Sequence, residues 1–472
     1  MKLLSIPSTP GQAPVPRPPR QALNPDEMVM DRQTYRDLEI FEAEEAPTVF
    51  DLLNRTRTRG GAQALRTRWR HPLSNAHKIR TVQQSLQHVL EHRRAYDLLP
   101  GEVIVSSVEK FVQSGLSIVT SRNPIDLFME AITARFGSDY RHYWDVMNGV
   151  NRSVRMIHAL KRLAARPELA GAPGELGPLL QELRSLVQRP AFAALPPEGH
   201  GQLPFLRTIR VDRLVRLDER DAIERMLRII FEIDAFISMA DATRQFQFAM
   251  PEVVDGELEV VAEGVYHPFV ENAVPNALQV DQQKRLLFLT GPNMAGKTTY
   301  LRASGIALYL AHLGMGVPAH SFRFSPCDSL FTAIALVDNL RSGISFFRAE
   351  ALRIKSIAQA VADGQRVAAL LDEPFMGTNV KDALDASRAV LVRLAAMNGC
   401  VFLVSSHLIE LGEPLLATQG VTCFRFEANE QSGTLEFDYV LRPGISSQRL
   451  GMRVLREEGV FDLLASDRDP SV

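Results

Sequence analysis

Cysteine and long apolar runs are scarce in this chain of 472 residues. Its three cysteines, Cys327, Cys400 and Cys423, are widely spaced, which excludes a disulfide framework or zinc cluster and is typical of a reducing compartment. No apolar run approaches the ~20 residues of a membrane helix, and the first residues are too short a stretch for a secretory signal. We therefore expect a cytoplasmic protein without a membrane partner.

Neither sign of charge dominates the sequence. The chain has 53 Lys and Arg against 55 Asp and Glu, a net charge of −2, which excludes a histone-like polycation. Hydrophobic residues make up 46% of the composition, enough for several ordinary cores and too many for a disordered chain. Any contact with nucleic acid must therefore use a local basic patch.

The pattern of proline and apolar residues divides the chain into three parts. Six prolines in the first 19 residues prevent helix and strand formation, so residues 1–37 are predicted to be a disordered tail. Residues 38–250 show mostly helical periodicity, clearest from Val211 to Ala242, and predict an all-α domain. Residues 251–472 alternate short apolar runs with helical stretches, which is typical of an α/β domain with a mainly parallel sheet.

Three apolar runs, at 285–290, 367–372 and 401–405, are predicted strands. The first runs straight into Gly291, and the sequence from there to Thr298 fits G-x-x-x-x-G-K-[ST] between a strand and a helix. Such a loop surrounds phosphate oxygens with backbone N–H groups at a helix N-terminus. The predicted nucleotide-binding residues are Gly291, Pro292, Asn293, Met294, Ala295, Gly296, Lys297, Thr298 and Thr299.

The loop carries a cation for the phosphates and a ligand for a metal ion. Lys297 is expected to reach the β- and γ-phosphates of a bound nucleotide. The Thr298 hydroxyl and the carboxylate of Asp372, which ends the second apolar run, are the predicted Mg²⁺ ligands. The sequence therefore predicts ATP and Mg²⁺ as the ligands of this loop.

Glu373 and His407 are predicted catalytic residues beside Lys297. Glu373 is the candidate general base for the attacking water, and Pro374 is expected to hold its backbone extended and so aim its side chain off the strand end. His407 follows the third apolar run and is expected to donate to a γ-phosphate oxygen and sense its loss.

Ser345 is a further predicted catalytic residue, acting in trans. It occupies a good N-cap position before a helix predicted to extend to about residue 362. The exposed N-terminus of such a helix favours an anion. Because the loop already surrounds the γ-phosphate of its own subunit, we expect the anion to be the γ-phosphate of a neighbouring subunit. An ordinary capped surface helix is the alternative.

Together these stretches resemble the ATPase domain of the MutS family of DNA mismatch-repair proteins. The matching sequences are TGPNMAGKTTYLR (290–302), FTAIALVDNLRSGISFFRAE (331–350), LLDEPFMGTN (370–379) and VSSHLIEL (404–411). Residues 49–73 resemble the start of the family's helical core, and residues 265–280 the start of its ATPase domain. The resemblance implies a P-loop, ABC-type α/β ATPase domain preceded by a helical core or lever domain.

The resemblance also implies a homodimer of ATPase heads around two ATP–Mg²⁺ ligands. Ser345 occupies the position that completes the partner's site, and residues 377–379 match the loop that crosses between the sites. Hydrolysis is then expected to move helical arms on DNA during repair or recombination. The positions that match the family's catalytic residues are Lys297, Thr298, Asp372, Glu373 and His407.

Three departures from the family pattern bear on function. Only about 48 residues precede the core, so the two domains that read mismatches are expected to be absent, and branched or structured DNA becomes the expected substrate. Ala295 replaces a family glycine, which a negative φ would allow. Ala273 aligns with the family's adenine-stacking aromatic, and Tyr266, Phe269 and Val274 remain open as substitutes.

A basic segment near the start of the helical part is a candidate DNA surface. Residues 51–94 hold ten Lys and Arg but two Asp and Glu, and each phosphate contact adds about 0.9 to the salt dependence of log K. A solvated helical face, or pairing of the arginines with acids elsewhere, is an equal alternative. The predicted DNA contacts are Arg55, Arg57, Arg59, Arg66, Arg68 and Arg70.

Two other functions compete with a MutS-like, DNA-binding ATPase. One is a different ABC-type ATPase, such as a transporter or chromosome-structuring head, and the missing L-S-G-G-Q signature, membrane segment and long coiled coil argue against it. The other is a nucleotide-switched module that docks a protein partner without binding DNA.

Overall fold

The computed structural model describes residues 24–43, 47–119, 140–197, 203–334, 346–431, 434–448 and 451–465. A helical part extends to Gln245, and an α/β part begins with a strand at Glu252. Across these described ranges, no helix is both long and apolar enough to cross a membrane.

The first described residues join the α/β part of the chain. β1 (Val29–Met30) is an edge strand of the large sheet and pairs in parallel with β7 (Ser329–Ala333). The prediction of a disordered tail up to residue 37 is therefore wrong for residues 24–37. The prolines behind that prediction lie in the first 19 residues, and the residues that pair with the sheet keep their backbone N–H groups.

Residues 24–43, the N-terminal segment, are fixed to the sheet by α1 (Arg32–Asp37). The Asp37 carboxylate accepts hydrogen bonds from the Thr332 hydroxyl at 2.6 Å and from the Ile334 N–H at 2.9 Å. Leu38 follows the helix and is fully buried. These contacts join chain positions almost 300 residues apart, which is why no local pattern predicts them.

The helical part is built around its longest helix, α9 (Arg220–Gln245), which packs against the helices over Arg59–Trp69 and Ala76–Glu91. All six stripe residues of α9 predicted from the sequence (Ile223, Met226, Leu227, Ile230, Ile233 and Ile237) are buried. The helices are α2 (Val49–Leu53), α3 (Arg59–Trp69), α4 (Ala76–Glu91), α5 (Glu102–Gln113), α6 (Tyr140–Ala164), α7 (Leu176–Val187), α8 (Phe205–Arg213) and α9 (Arg220–Gln245).

The helix predicted from Val211 to Ala242 is interrupted. A π-helical turn over Leu214–Asp218 separates α8 from α9. Within it, the buried Arg216 guanidinium pairs with Asp212 at 2.5 Å and donates to the Leu116 carbonyl oxygen at 2.7 Å. The bond to Leu116, 100 residues away in the sequence, is a tertiary contact at this break that apolar spacing does not reveal.

A buried carboxylate joins α9 to the start of α3. Asp234 is fully buried and accepts hydrogen bonds from the backbone N–H groups of Arg57 and Thr58 and from the Thr58 hydroxyl. Thr58 is itself the N-cap of α3. Burial raises the pKa of Asp234, and these donors oppose the shift.

The α/β part contains a small sheet beside the large one. Its strand order is β2-β6-β3-β4, and β3 pairs antiparallel with both neighbours. The strands are β2 (Glu252–Val253), β3 (Val260–Val265), β4 (Asn276–Val280) and β6 (Ser321–Phe324).

The large sheet has the order β1-β7-β8-β9-β5-β10-β13 and is parallel except for β13. Its three central strands are the apolar runs predicted from the sequence. Leu287 and Leu289 of β5 pack into one hydrophobic core and Leu286 and Phe288 into another, so the sheet is covered on both faces. The further strands are β5 (Leu286–Thr290), β8 (Val367–Asp372), β9 (Val401–Ser405), β10 (Val421–Arg425) and β13 (Arg442–Pro443).

The remaining elements complete the α/β part. A helix that begins immediately after the phosphate loop extends to the helical part, where the Tyr309 hydroxyl donates to the Trp69 carbonyl oxygen at 2.5 Å. The elements are α10 (Lys297–His312), α11 (Phe346–Ala362), α12 (Val380–Ala395), α13 (Gly412–Leu416), β11 (Ala428–Gln431), β12 (Thr434–Phe437), α14 (Gly451–Glu457) and α15 (Val460–Ala465).

Candidate nucleotide site

The loop between β5 and α10 turns at three residues with positive φ. The φ angles of Gly291, Met294 and Gly296 are 146°, 69° and 100°. A Cβ at Gly291 would lie 2.7 Å from the Phe426 carbonyl oxygen, so this position needs glycine. Ala295 has no positive φ, and its replacement of a family glycine therefore introduces no backbone strain.

Lys297, the first residue of α10, points back into this loop. Its side chain is 5% exposed, and Nζ donates to the carbonyl oxygens of Gly291 at 2.9 Å and Pro292 at 3.0 Å. Burial lowers the pKa of Lys297, while the Glu373 and Asp372 carboxylates oppose that shift. Nζ lies 3.9 Å from Glu373 Oε1. A buried ammonium with mainly neutral partners favours an added anion.

Thr298 and Asp372 bring two oxygen ligands together beside Lys297. Thr298 Oγ1 donates to Asp372 Oδ2 at 2.6 Å, and the Ser405 hydroxyl donates to Asp372 Oδ1. Asp372 and Ser405 are paired where β8 and β9 end, so residues distant in sequence meet at one edge of the sheet. Hydroxyl and carboxylate oxygens are hard ligands, and this pair fits Mg²⁺.

Glu373 and His407 form an ion pair next to Asp372. The distance from His407 Nδ1 to Glu373 Oε2 is 3.2 Å. The hydrogen bond to His407 lowers the pKa of Glu373, and the same bond raises the pKa of His407. The pair therefore favours the ionised carboxylate, which is the form a general base requires.

The backbone at Glu373 is not extended, contrary to the prediction from Pro374. Its φ is 48°, and its N–H donates to the Ser405 carbonyl oxygen at 3.0 Å. This pairing with the end of β9 overrides the local bias that proline imposes. A left-handed backbone at a non-glycine residue is strained, so the surrounding contacts must hold it.

One cavity of about 780 Å³ adjoins Lys297, Thr298, Asp372 and Glu373. Its other end reaches residues 265–274, which include the candidates for stacking on the adenine base. Tyr266 and Val274 line the cavity, as does Ala273, whereas Phe269 is not a lining residue.

Tyr439 is a cavity-lining residue that the sequence did not indicate. Its ring lies against the phosphate loop, since a Cβ at Gly296 would be 3.3 Å from Tyr439 Cδ1. The Asn276 side chain donates to the Tyr439 carbonyl oxygen at 2.9 Å and accepts from the Leu441 N–H at 2.7 Å. Asn276 and Tyr439 are 163 residues apart, so no local pattern marks the aromatic.

Glu350 is a second lining residue without a predicted role. It lies in the first turns of α11 and is 4% exposed. Its carboxylate accepts hydrogen bonds from the Met376 and Gly377 N–H groups, just beyond Glu373. Glu350 is the last residue of the stretch 331–350, which resembles the family. The sequence therefore marked its position but did not indicate its contacts.

The predicted trans residue Ser345 lies outside the described residues, which resume at Phe346. Residues 377–379, predicted to cross between two sites, lead into α12. Asn379 is the N-cap of that helix and accepts from the Asp382 N–H at 3.0 Å.

The six arginines predicted as DNA contacts all have intramolecular partners in the described structure. The alternative of pairing with acids has structural support for Arg57, Arg59 and Arg68, although the Arg59 side chain is also 91% exposed. The partners are Gln245 and the Phe246 ring for Arg55, Asp97 for Arg57, Glu102 for Arg59, the Phe41 and Phe50 rings for Arg66, Glu175 and the Phe236 ring for Arg68, and the Phe41 ring for Arg70.

A mainly parallel sheet with helices, a buried lysine after a glycine-rich loop and carboxylates at the neighbouring strand end define an ATPase-type α/β domain. Residues 287–465 match the family model of MutS domain V. The chain is 31% identical over 245 residues to the DNA mismatch repair protein MutS of Aquifex pyrophilus. It is 34% identical over 243 residues to the DNA mismatch repair protein MutS of Oleidesulfovibrio alaskensis.

These matches cover 51% and 50% of this chain but 28% and 26% of the two relatives. The chain therefore spans about a quarter of the length of the curated relatives it matches. Together with the domain match, they confirm the resemblance to the MutS family that the sequence motifs indicated.

Proposed function

We propose that this chain is a P-loop, ABC-type ATPase that binds ATP with Mg²⁺ and hydrolyses it as a homodimer on DNA. The observation that carries the proposal is the convergence of a buried cation, a hydroxyl–carboxylate pair and the Glu373 carboxylate around one cavity, with His407 paired to Glu373. Their arrangement suits in-line attack of water on a phosphoryl group. The residues are Lys297, Thr298, Asp372, Glu373 and His407.

Each side chain has a distinct role in this reaction. Lys297 exchanges its carbonyl partners for β- and γ-phosphate oxygens, and Thr298 and Asp372 hold Mg²⁺, which neutralises phosphate charge. Glu373 orients the attacking water and accepts its proton. His407, whose Nδ1 faces Glu373, keeps Nε2 for a hydrogen bond to the γ-phosphate.

The base of the nucleotide is proposed to stack on Tyr439. This ring is a cavity wall next to Gly296, and Asn276 holds its backbone. Aromatic stacking of this kind adds about 0.5–1.5 kcal/mol beyond area burial. Tyr266 lines the same cavity and can supply a further aromatic contact.

The partner subunit is proposed to complete each site with its own Ser345. An N-cap serine at the start of a long helix presents backbone N–H groups and a hydroxyl to an anion. Residues 377–379, directly after the hydrolytic carboxylate, are the proposed crossing between the two sites. Loss of the γ-phosphate would then alter the dimer and move the helical arms.

DNA is the proposed macromolecular partner, and branched or structured DNA is preferred over a mismatch. The named relatives are mismatch-repair proteins, which supports a role in repair or recombination. The second candidate is a nucleotide-switched module that docks a protein without DNA. The ion pairs of Arg57, Arg59 and Arg68 favour this candidate, since a guanidinium paired with a carboxylate attracts a phosphate less strongly.

Steady-state ATP hydrolysis with Mg²⁺ tests the catalytic proposal. Lys297→Ala should lose binding of a fluorescent ATP analogue, because the phosphates lose their buried cation. Glu373→Gln should keep binding, trap a dimer and hydrolyse about 10²–10⁴-fold more slowly. Lys355→Ala and Glu413→Gln alter exposed residues of the same types and should behave as wild type. Wild-type turnover by Glu373→Gln would remove Glu373 from the mechanism.

Electrophoretic shifts at controlled salt separate the two candidate functions. The panel contains homoduplex, mismatched, branched and single-stranded DNA, each with and without ATP. A stronger shift of branched DNA supports the DNA-bound ATPase. No shift with any of these DNAs, at salt low enough to retain phosphate contacts, would favour the protein-docking module.

A further inference from the structure

The turn that follows Glu373 is strained at two positions. Glu373 and Phe375 have φ angles of 48° and 70°, and the backbone of a non-glycine residue in this region is strained. Such a backbone persists only when surrounding contacts over-determine it. The turn also sets the direction of the Glu373 carboxylate, because it fixes the backbone on the C-terminal side of that residue.

Several of these contacts come from α11, a helix that precedes the turn in sequence. The Glu350 carboxylate accepts hydrogen bonds from the Met376 N–H at 3.0 Å and the Gly377 N–H at 3.2 Å. On the same side of α11, the Phe347 ring lies 6.0 Å from the ring of Phe375, which is 4% exposed. The N-terminal residues of α11 therefore hold the 375–377 turn both by hydrogen bonds and by packing.

A carboxylate suits this position better than a neutral side chain. It offers two acceptor oxygens to successive N–H groups, and hydrogen bonds to a charged acceptor are roughly twice as strong as neutral ones. Burying the charge opposes folding, which is seen in the raised pKa of Glu350. The chain thus keeps a desolvated carboxylate at the wall of the cavity, where it satisfies two backbone N–H groups of the turn.

We propose that Glu350 is a positioning residue for the hydrolysis proposed above: it holds the 375–377 turn so that the Glu373 carboxylate stays aimed at its water. Glu350 acts through the turn, because its carboxylate accepts hydrogen bonds from the Met376 and Gly377 N–H groups. A displacement of about 1 Å at a catalytic group can cost 10²-fold in rate, so the contribution of Glu350 is expected in kcat rather than in nucleotide affinity.

The variants Glu350→Gln and Glu350→Asp test the proposal, and Asp234→Asn is the control. Asp234 is the matched control because it is also a buried carboxylate that accepts backbone N–H groups, but it lies in the helical part. Glu350→Gln should lower kcat about 10–100-fold while KM for ATP changes less than about threefold. Glu350→Asp keeps both acceptor oxygens and should recover part of kcat. Asp234→Asn should lower the melting temperature and leave kcat unchanged.

Hydrogen exchange supplies a readout that does not depend on ATP hydrolysis. The amides of residues 375–377 should exchange at least tenfold faster in Glu350→Gln than in wild type. In Asp234→Asn, the same amides should exchange at the wild-type rate. An unchanged exchange rate in Glu350→Gln would refute the claim that Glu350 holds the turn. Faster exchange with wild-type kcat would overturn the positioning role. A wild-type protein that does not hydrolyse ATP would refute the proposed function and this role with it, whatever the exchange rates.

Discussion

Truncating Leu38 to alanine should destabilise the protein, although the residue precedes every recognised motif. Leu38 is fully buried, and it approaches α10 so closely that a Cβ at Gly305 would lie 2.6 Å from Leu38 Cδ2. α10 begins at Lys297, so this leucine supports the helix that holds the buried cation. Truncating a fully buried leucine costs about 2–5 kcal/mol, depending on how far the cavity collapses.

Urea unfolding followed by tryptophan fluorescence measures this cost. Trp69 is fully buried in the same hydrophobic cluster as Leu38 and reports on it. A loss of 2 kcal/mol lowers the ratio of folded to unfolded protein about thirtyfold at 25 °C. The control Leu352→Ala, at a side chain 43% exposed, should change stability by less than about 0.5 kcal/mol. Equal stabilities of the two variants would refute the structural role of the N-terminal segment.

Two further predictions concern pH and the cavity. Burial lowers the pKa of His312 to about 4, against 6.5 in the unfolded chain, so below pH 6.5 the unfolded state binds a proton that the native state does not. The free energy of unfolding should be highest above pH 6.5 and fall by about 3 kcal/mol towards pH 4. If the urea midpoint of His312→Asn had the same pH dependence as that of the wild type, this prediction would be contradicted. Asn276→Ala should release Tyr439 and weaken binding of a fluorescent ATP analogue about tenfold, and unchanged affinity, as expected for the exposed control Gln283→Ala, would refute that role.

The central strands, and the meeting of the candidate nucleotide-site residues at one end of the sheet, could be predicted because their signals are local. A buried parallel strand is a continuous apolar run, and the loop after β5 carries its glycines, lysine and threonine within eight positions. Asp372 ends such a run, and Glu373 directly follows it. The carboxyl ends of neighbouring parallel strands meet at one edge of the sheet, which brings these groups together.

Features that depend on distant partners could not be predicted in the same way. β1 has only two residues, and its pairing with Ser329 and Leu330 leaves no mark near Val29. The backbone of Glu373 follows from its hydrogen bond to Ser405 rather than from the proline beside it. In the sequence Arg68 has no acidic residue near it, whereas in the fold Glu175, 107 residues away, lies 2.7 Å from its guanidinium.

Completion of each nucleotide site by a second subunit is tested most directly by mixing two inactive variants. Lys297→Ala keeps Ser345, and Ser345→Ala keeps Lys297, so a mixed dimer contains one intact site and one doubly impaired site. With subunit exchange demonstrated by differently labelled chains, ATP hydrolysis should reappear on mixing, at up to half the wild-type rate per mixed dimer. A mixture that exchanges subunits and still hydrolyses no ATP would contradict a site shared between two chains.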